Sequence, residues 1–151
     1  PAMTDSTSTC GPHNQTIVVA RVLYADTDKM GVVYHANYFR WFEAGRGAYM
    51  RRRGLAYSRI EAGGIQLPLV ECGIRYHRSA LYEDLLTVRA WVTRISAVQV
   101  EFQYEIARGD ELLVTGFTRH ATINGENRPV RVPDDLVAAL NSAENTPDVP
   151  Y

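Results

Sequence analysis

A chain of 151 residues is long enough for one domain with a real core and short for two. It is 46% hydrophobic and 22% charged with a formal net charge of −1, which excludes a disordered polyelectrolyte and offers no basic surface for nucleic acid or an anionic membrane. No apolar run approaches the roughly 20 residues that span a bilayer. The N-terminus lacks a basic region followed by an apolar one, so no signal peptide is expected; Met3 is read as the natural start and the cytoplasm as the location. Two cysteines, Cys10 and Cys72, do not make a disulfide framework.

Residues 1–14 are rich in Ser, Thr, Gly and Pro and are expected to form a mobile tail. A single domain is expected over 15–140, with 141–151 as a C-terminal tail. Val18, Ala20, Val22 and Tyr24 alternate with other residues, the mark of a strand. Asp26-Thr27-Asp28-Lys29-Met30-Gly31 breaks that pattern as a loop. From Asn37 to Arg53, Tyr38, Trp41, Phe42, Gly45 and Tyr49 share one helical face, and Gly54 ends the helix. Arg40, Glu43 and Arg46 lie opposite at ion-pair spacing. Gly45 and Gly47 each cost about 1 kcal/mol against Ala in a helix interior, so another backbone is expected to approach there. Arg51-Arg52-Arg53 reads as a solvated helix end.

Beyond a loop around Gly63-Gly64 the chain is mostly strand. Val70, Cys72, Ile74 and Tyr76 alternate, with Cys72 taken as core. Leu86, Val88, Ala90 and Val92 alternate next, then Val98, Val100, Phe102, Tyr104 and Ile106. Gly109-Asp110 is a hairpin turn, and 111–123 the last strand. Pro133 opens a short helix through Leu140, with Asp134 and Asp135 in its first turn. Short turns between the later strands call for an antiparallel meander, and the long helix must bury its aromatic face on it. The expected class is α+β.

Chemistry-bearing residues crowd into 24–38. Asp26 and Asp28 alone are ordinary turn residues. A calcium loop fails at Met30, where an oxygen ligand is required, and at Asn37, where a bidentate Glu is required. His35 precedes the helix start, where free N–H groups and the helix dipole could polarise a carbonyl; its backbone N–H matters more than its ring. Asn37 could be the helix cap. Ser58, Ser79 and Ser96 lie in no nucleophile elbow. His13, His77 and His120 have no metal-ligand spacing, so no metal is expected.

The run Tyr24 to Tyr38, with the pattern D-x-D-x-x-G-x-V-Y-H-x-N-Y, resembles the signature of the 4-hydroxybenzoyl-CoA thioesterase family. The branch of bacterial acyl-CoA thioesterases associated with the Tol–Pal system is the most similar. Tyr82-Glu83-Asp84 and Arg128–Pro133 are also family-like. The resemblance implies a hotdog fold, a sheet of about five antiparallel strands around one long central helix. It also implies a homodimer, paired into a homotetramer, with sites at the dimer interface and neither metal nor cofactor. It places the catalytic carboxylate on Asp28 and the polarising backbone N–H on His35, with Tyr24 and the His35 ring in the site. Gly31, Tyr34 and Asn37 are the implied substrate-binding positions. The implied activity is hydrolysis of an acyl-CoA. The sequence departs from the family at Ser79-Ala80, where a Pro is usual, and at Glu43-Ala44-Gly45-Arg46 in the helix.

Rival assignments are a hotdog dehydratase, whose His motif is missing, and a thioesterase whose acid lies in the helix, for which Glu43 is the only carboxylate. A non-catalytic module binding acyl-CoA or acyl-carrier protein, or a thioesterase acting on carrier-protein substrates, remains as the alternative. Arg51, Arg52, Arg53, Arg75 and Arg78 are candidate anchors for CoA phosphates. Trp41, Phe42 and Tyr49 are better read as core than as pocket.

Overall fold

A computed structural model describes Pro12 and residues 14–148. Cys10, His13 and nearly all of the expected N-terminal tail lie outside the described residues. The elements are β1 (Thr16–Arg21), α1 (Tyr38–Arg51), α2 (Tyr57–Ala62), β2 (Leu69–Tyr76), β3 (Leu85–Ile95), β4 (Gln99–Arg108), β5 (Glu111–Ala121) and α3 (Asp134–Leu140). Two 3-10 turns, Tyr24–Asp26 and His35–Asn37, stand between β1 and α1. The helix α2 was not anticipated. It is one and a half turns long and buries only Ile60, too little for a periodic signal.

The five strands form one antiparallel sheet in the order β1-β3-β4-β5-β2. Three of the later strands, β3, β4 and β5, make the expected meander. Strand β2 pairs with β5 at the far edge instead, Ile74 opposite Gly116. Among the described residues its other edge has no partner strand, and Leu69, Val70, Cys72 and Tyr76 are exposed along it. The expectation that Cys72 is core therefore fails: its face is the apolar one, but at the rim of the sheet no described residue buries it.

Helix α1 lies in the curve of the sheet as the hotdog arrangement requires. Tyr38, Trp41, Phe42, Gly45 and Tyr49 are all buried against it. Phe42 stacks on Tyr104 with ring centroids 4.5 Å apart. A Cβ on Gly45 would stand 3.2 Å from Val88 Cγ1 and 3.3 Å from Ala90 Cβ, so the approach there is close but is made by β3 side chains and not by the expected backbone. At Gly47 a Cβ would meet only the Arg51 guanidinium, at 3.0 Å, and no backbone. Gly116 makes room for Phe42: a Cβ would fall 2.5 Å from that ring.

Gly54, at φ +77°, turns the chain out of α1 as expected. The three arginines before it are not a solvated face. Arg53 is 3% exposed, and its guanidinium donates to Thr16 Oγ1, Asn14 Oδ1 and the carbonyls of Tyr49 and Ser142. Arg51 and Arg52 bind the Asp148 carboxylate. These cations tether the segments at Asn14–Thr16 and Ser142–Asp148 to the helix terminus, which leaves them poorly suited to docking phosphates.

One polar chain runs through the core beneath α1. Arg46 donates to Tyr104 Oη at 3.0 Å, Tyr104 and Thr118 hydroxyls are 2.5 Å apart, and His120 Nε2 lies 3.0 Å from Thr118. His120 Nδ1 faces the Leu67 carbonyl at 3.1 Å. Arginine only donates and a carbonyl only accepts, so a continuous chain needs neutral His120 with its proton on Nδ1. Burial first, and then the Arg46 charge, push the His120 pKa down to about 4. The unfolded chain takes up this proton near pH 6.5 while the folded chain resists it, so stability is full above that and falls as pH drops toward 4. Urea unfolding is expected to lose about 2 kcal/mol of stability between pH 7 and pH 5. In His120→Gln that slope should flatten; an unchanged slope would contradict the assignment.

Candidate active site

The loop from Leu23 to Asn37 connects the end of β1 to the start of α1. Its centre of organisation is Asp26, 5% exposed. The Asp26 carboxylate accepts from the Leu23 N–H at 2.8 Å and pairs with Arg40 in the first turn of α1. Its backbone carbonyl accepts from the Tyr34 N–H at 2.9 Å and from Asn37 Nδ2 at 2.8 Å. One residue thus ties both ends of the loop to the helix. The sequence pattern marked Asp26 only as a motif position; its partners lie up to 14 residues away, and no local spacing discloses them.

Asp28 sits in a tight turn within this frame. Its N–H donates to the Val32 carbonyl at 2.8 Å, and its carbonyl accepts from Gly31 at 3.0 Å. Gly31 closes the turn at φ +84°, a conformation that strains any residue with a side chain. Asp28 Oδ1 accepts from the Met30 N–H at 2.8 Å. Among the described residues, no donor meets Oδ2. Val33 N–H donates to the Ala80 carbonyl at 3.0 Å, which fastens the turn to the segment before β3.

His35 opens the 3-10 turn that runs into α1. Asn37 N–H donates to the Tyr34 carbonyl at 2.9 Å. Among the described residues, nothing accepts from the N–H of His35 or of Ala36. Two free donors therefore stand at the entrance to a 14-residue helix, where its dipole is positive. Tyr76, the last residue of β2, donates its hydroxyl to the His35 carbonyl at 2.7 Å. Its ring lies edge-on to those of His35 and Tyr38, and Tyr38 Oη accepts from the Ala80 N–H at 3.0 Å. Sequence alternation found Tyr76 as a strand residue and gave no sign of this contact.

The loop thus brings Asp28, Gly31, Tyr34, His35 and Asn37 onto one framework. Tyr34 and His35 rings touch, with centroids 4.4 Å apart. Tyr24 is 76% exposed and rests edge-on against Tyr82; among the described residues it bonds neither Asp28 nor His35. Asn37 is not a side-chain cap: its amide is spent on Asp26, so the loop rather than the helix end is what it secures. Glu43 finds no ion pair among the described residues, because Arg40 turns to Asp26 and Arg46 to Tyr104. Trp41, Phe42 and Tyr49 are core. A groove of about 1170 Å³ instead follows the opposite face of α1, past Arg40, Glu43, Ala44, Gly47 and Met50. Ile17, Val19, Leu67 and Leu69 are among its apolar walls.

A carboxylate oxygen that meets no donor among the described residues, in the same loop as free amides at a helix start, has the chemistry to attack, or direct water onto, a carbonyl whose oxygen such amides receive. Similar proteins share the fold and its outline. The profile of the thioesterase-like superfamily matches residues 22–140. The chain is 30% identical over 123 residues to the acyl-CoA thioesterase YbgC of Haemophilus influenzae, covering 80% of this chain and 90% of that one. It is 28% identical over 128 residues to the 4-hydroxybenzoyl-CoA thioesterase of a Pseudomonas species, covering 78% and 91%. The crystal structure of DHNA-CoA thioesterase from Staphylococcus aureus superposes with a TM-score of 0.78 at 34% identity, over 83% of this chain and 87% of that one.

The two aspartates are expected to separate cleanly in stability. Asp26→Asn loses a charged hydrogen bond at a buried position and should lower the unfolding free energy by about 1–3 kcal/mol. Asp28→Asn should change it by less than about 0.5 kcal/mol. Equal losses in urea titrations of the two variants would contradict the division between frame and reacting group.

Proposed function

The chain belongs to the thioesterase-like superfamily and is a thioesterase, and from that premise we propose that it hydrolyses an acyl-CoA to the free acid and CoA, with Asp28 as the reacting carboxylate. The observation that carries the proposal is the presence, within one loop, of an Asp28 oxygen and a His35 N–H that both lack a partner among the described residues.

In this mechanism the thioester oxygen accepts a hydrogen bond from the His35 N–H at the positive end of α1. That bond strengthens as the oxygen gains charge, so it favours the tetrahedral intermediate over the ground state. Asp28 then acts in one of two ways. As a nucleophile it expels the CoA thiolate and leaves a mixed anhydride that water opens. As a general base it takes a proton from the attacking water directly. Either way one water is consumed, the carbon–sulfur bond breaks, and the thiolate is protonated on release. The acyl chain follows the groove along α1, whose walls are mainly apolar and which includes Arg40, the partner of Asp26.

The protein acts in the cytoplasm as a homodimer, and as a homotetramer formed from two such dimers. The open edge of β2, with Leu69, Val70 and Tyr76 exposed, supports pairing with a second copy. No helix among the described residues is long and apolar enough to cross a membrane.

Free-thiol release from acetyl-, hexanoyl-, palmitoyl-, benzoyl- and 4-hydroxybenzoyl-CoA tests the proposal, with wild type and Asp28→Asn side by side. Turnover of at least one substrate is expected, with kcat falling at least about 10²-fold in Asp28→Asn. Turnover that survives the substitution would remove Asp28 from the chemistry. No turnover by folded wild type, with normal acyl-CoA binding, would favour a binding module.

A further inference from the structure

Tyr76 lies outside the loop that carries the reacting groups, yet it holds one of that loop's peptides. Its hydroxyl donates to the His35 carbonyl at 2.7 Å. The bond has the length of a well-formed O–H···O contact. The ring is braced on two sides, edge-on to His35 at 6.4 Å and to Tyr38 at 5.5 Å between centroids. Tyr38 is itself buried and fixed through its hydroxyl to Ala80. The phenol is therefore anchored by the core on one side while its oxygen reaches the site on the other.

The peptide that Tyr76 grips joins His35 to Ala36. A trans peptide is planar, with its C=O and N–H pointing in opposite directions. Holding the His35 carbonyl toward β2 thus turns the Ala36 N–H away from β2. No group among the described residues accepts from that N–H. The preceding peptide is fixed separately, because the Tyr34 carbonyl is held by the Asn37 N–H at 2.9 Å. The structure thus shows two consecutive unbonded amides, His35 and Ala36, each with its peptide plane set by a different hydrogen bond.

We propose that the Ala36 N–H is a second donor to the thioester oxygen beside the His35 N–H, and that Tyr76 is the positioning residue that aims and polarises it. The inference rests on the thioesterase mechanism described above and adds to it. A hydrogen bond to a peptide carbonyl draws electron density from its own N–H, which makes that N–H a stronger donor. Burial raises the Tyr76 pKa, so the phenol stays protonated and donating at neutral pH. Without the hydroxyl, rotation of the 35–36 peptide would bring its carbonyl dipole toward the developing negative charge. Tyr76 itself touches no reacting atom.

The test is Tyr76→Phe, which keeps the ring contacts and removes only the donor. kcat and KM are measured on whichever of the five acyl-CoAs named above wild type hydrolyses, with thermal unfolding and size-exclusion profiles as controls for fold and assembly. Removing a direct oxyanion donor costs about 10²–10³ in kcat, and a residue acting one bond further back is expected to cost about tenfold. KM should stay within about twofold, because the bond strengthens only as charge develops. A carbonyl readout separates positioning from mere structure. Benzoyl-CoA carrying carbon-13 at the thioester carbon, bound to Asp28→Asn, should show its infrared carbonyl band shifted to lower frequency, and Asp28→Asn with Tyr76→Phe should shift it less. A Tyr76→Phe enzyme with unchanged kcat, or one changed only in KM, would overturn the role of Tyr76 and leave the Asp28 mechanism standing. Wild type inactive on all five substrates would overturn the mechanism and this role together.

Discussion

The site depends on a buried ion pair between the loop and the helix it precedes. Asp26 joins Arg40 through its carboxylate and holds Tyr34 and Asn37 through its carbonyl. A carboxylate 5% exposed would be costly without such partners. With them, the loop has one conformation, and the flanking residues inherit it. The turn at Asp28, the open amides of His35 and Ala36 and the start of α1 are all set relative to one another. The proposed reacting groups, held this way, need no rearrangement as charge develops, which is the condition under which hydrogen-bond donors contribute most to a transition state.

The sheet supplies the second constraint. It must curve around α1 closely enough for Gly45 to lie on Val88 and Ala90, and for Phe42 to occupy the space over Gly116. That contact fixes the height of the helix, and so the position of its first turn. The other end of α1 is fixed by Arg53, which reaches Asn14, Thr16 and Ser142 from a buried position. Helix, loop and the segments at Asn14–Thr16 and Ser142 are thereby fastened into one frame, with the proposed reacting groups at the start of α1, where the His35 and Ala36 amides meet no acceptor among the described residues.

Much of this was legible in the sequence because it is local. The aromatic stripe from Tyr38 to Tyr49 gave the helix, and strict alternation from Val98 to Ile106 gave a strand. The motif from Asp26 to Tyr38 placed Asp28 and His35 in one loop. What stayed hidden depends on contacts between distant residues. Arg53 looked solvated because its partners Asn14 and Ser142 are 39 and 89 residues away. Cys72 looked buried because alternation assigns a face and says nothing of whether the strand is central or at the rim. Asn37 resembled a cap by position, while its amide had a better acceptor in Asp26. Tyr76 had no signal at all, since its partner is a backbone carbonyl 41 residues earlier.

The most direct test of the account is the crystal structure of Asp28→Asn with a thioester substrate bound, using an acyl-CoA that wild type hydrolyses. The account predicts the thioester oxygen about 3 Å from the His35 nitrogen, with the residue 28 side chain facing the carbonyl carbon and the acyl chain running along α1. A thioester bound elsewhere, with the His35 amide unoccupied, would contradict it.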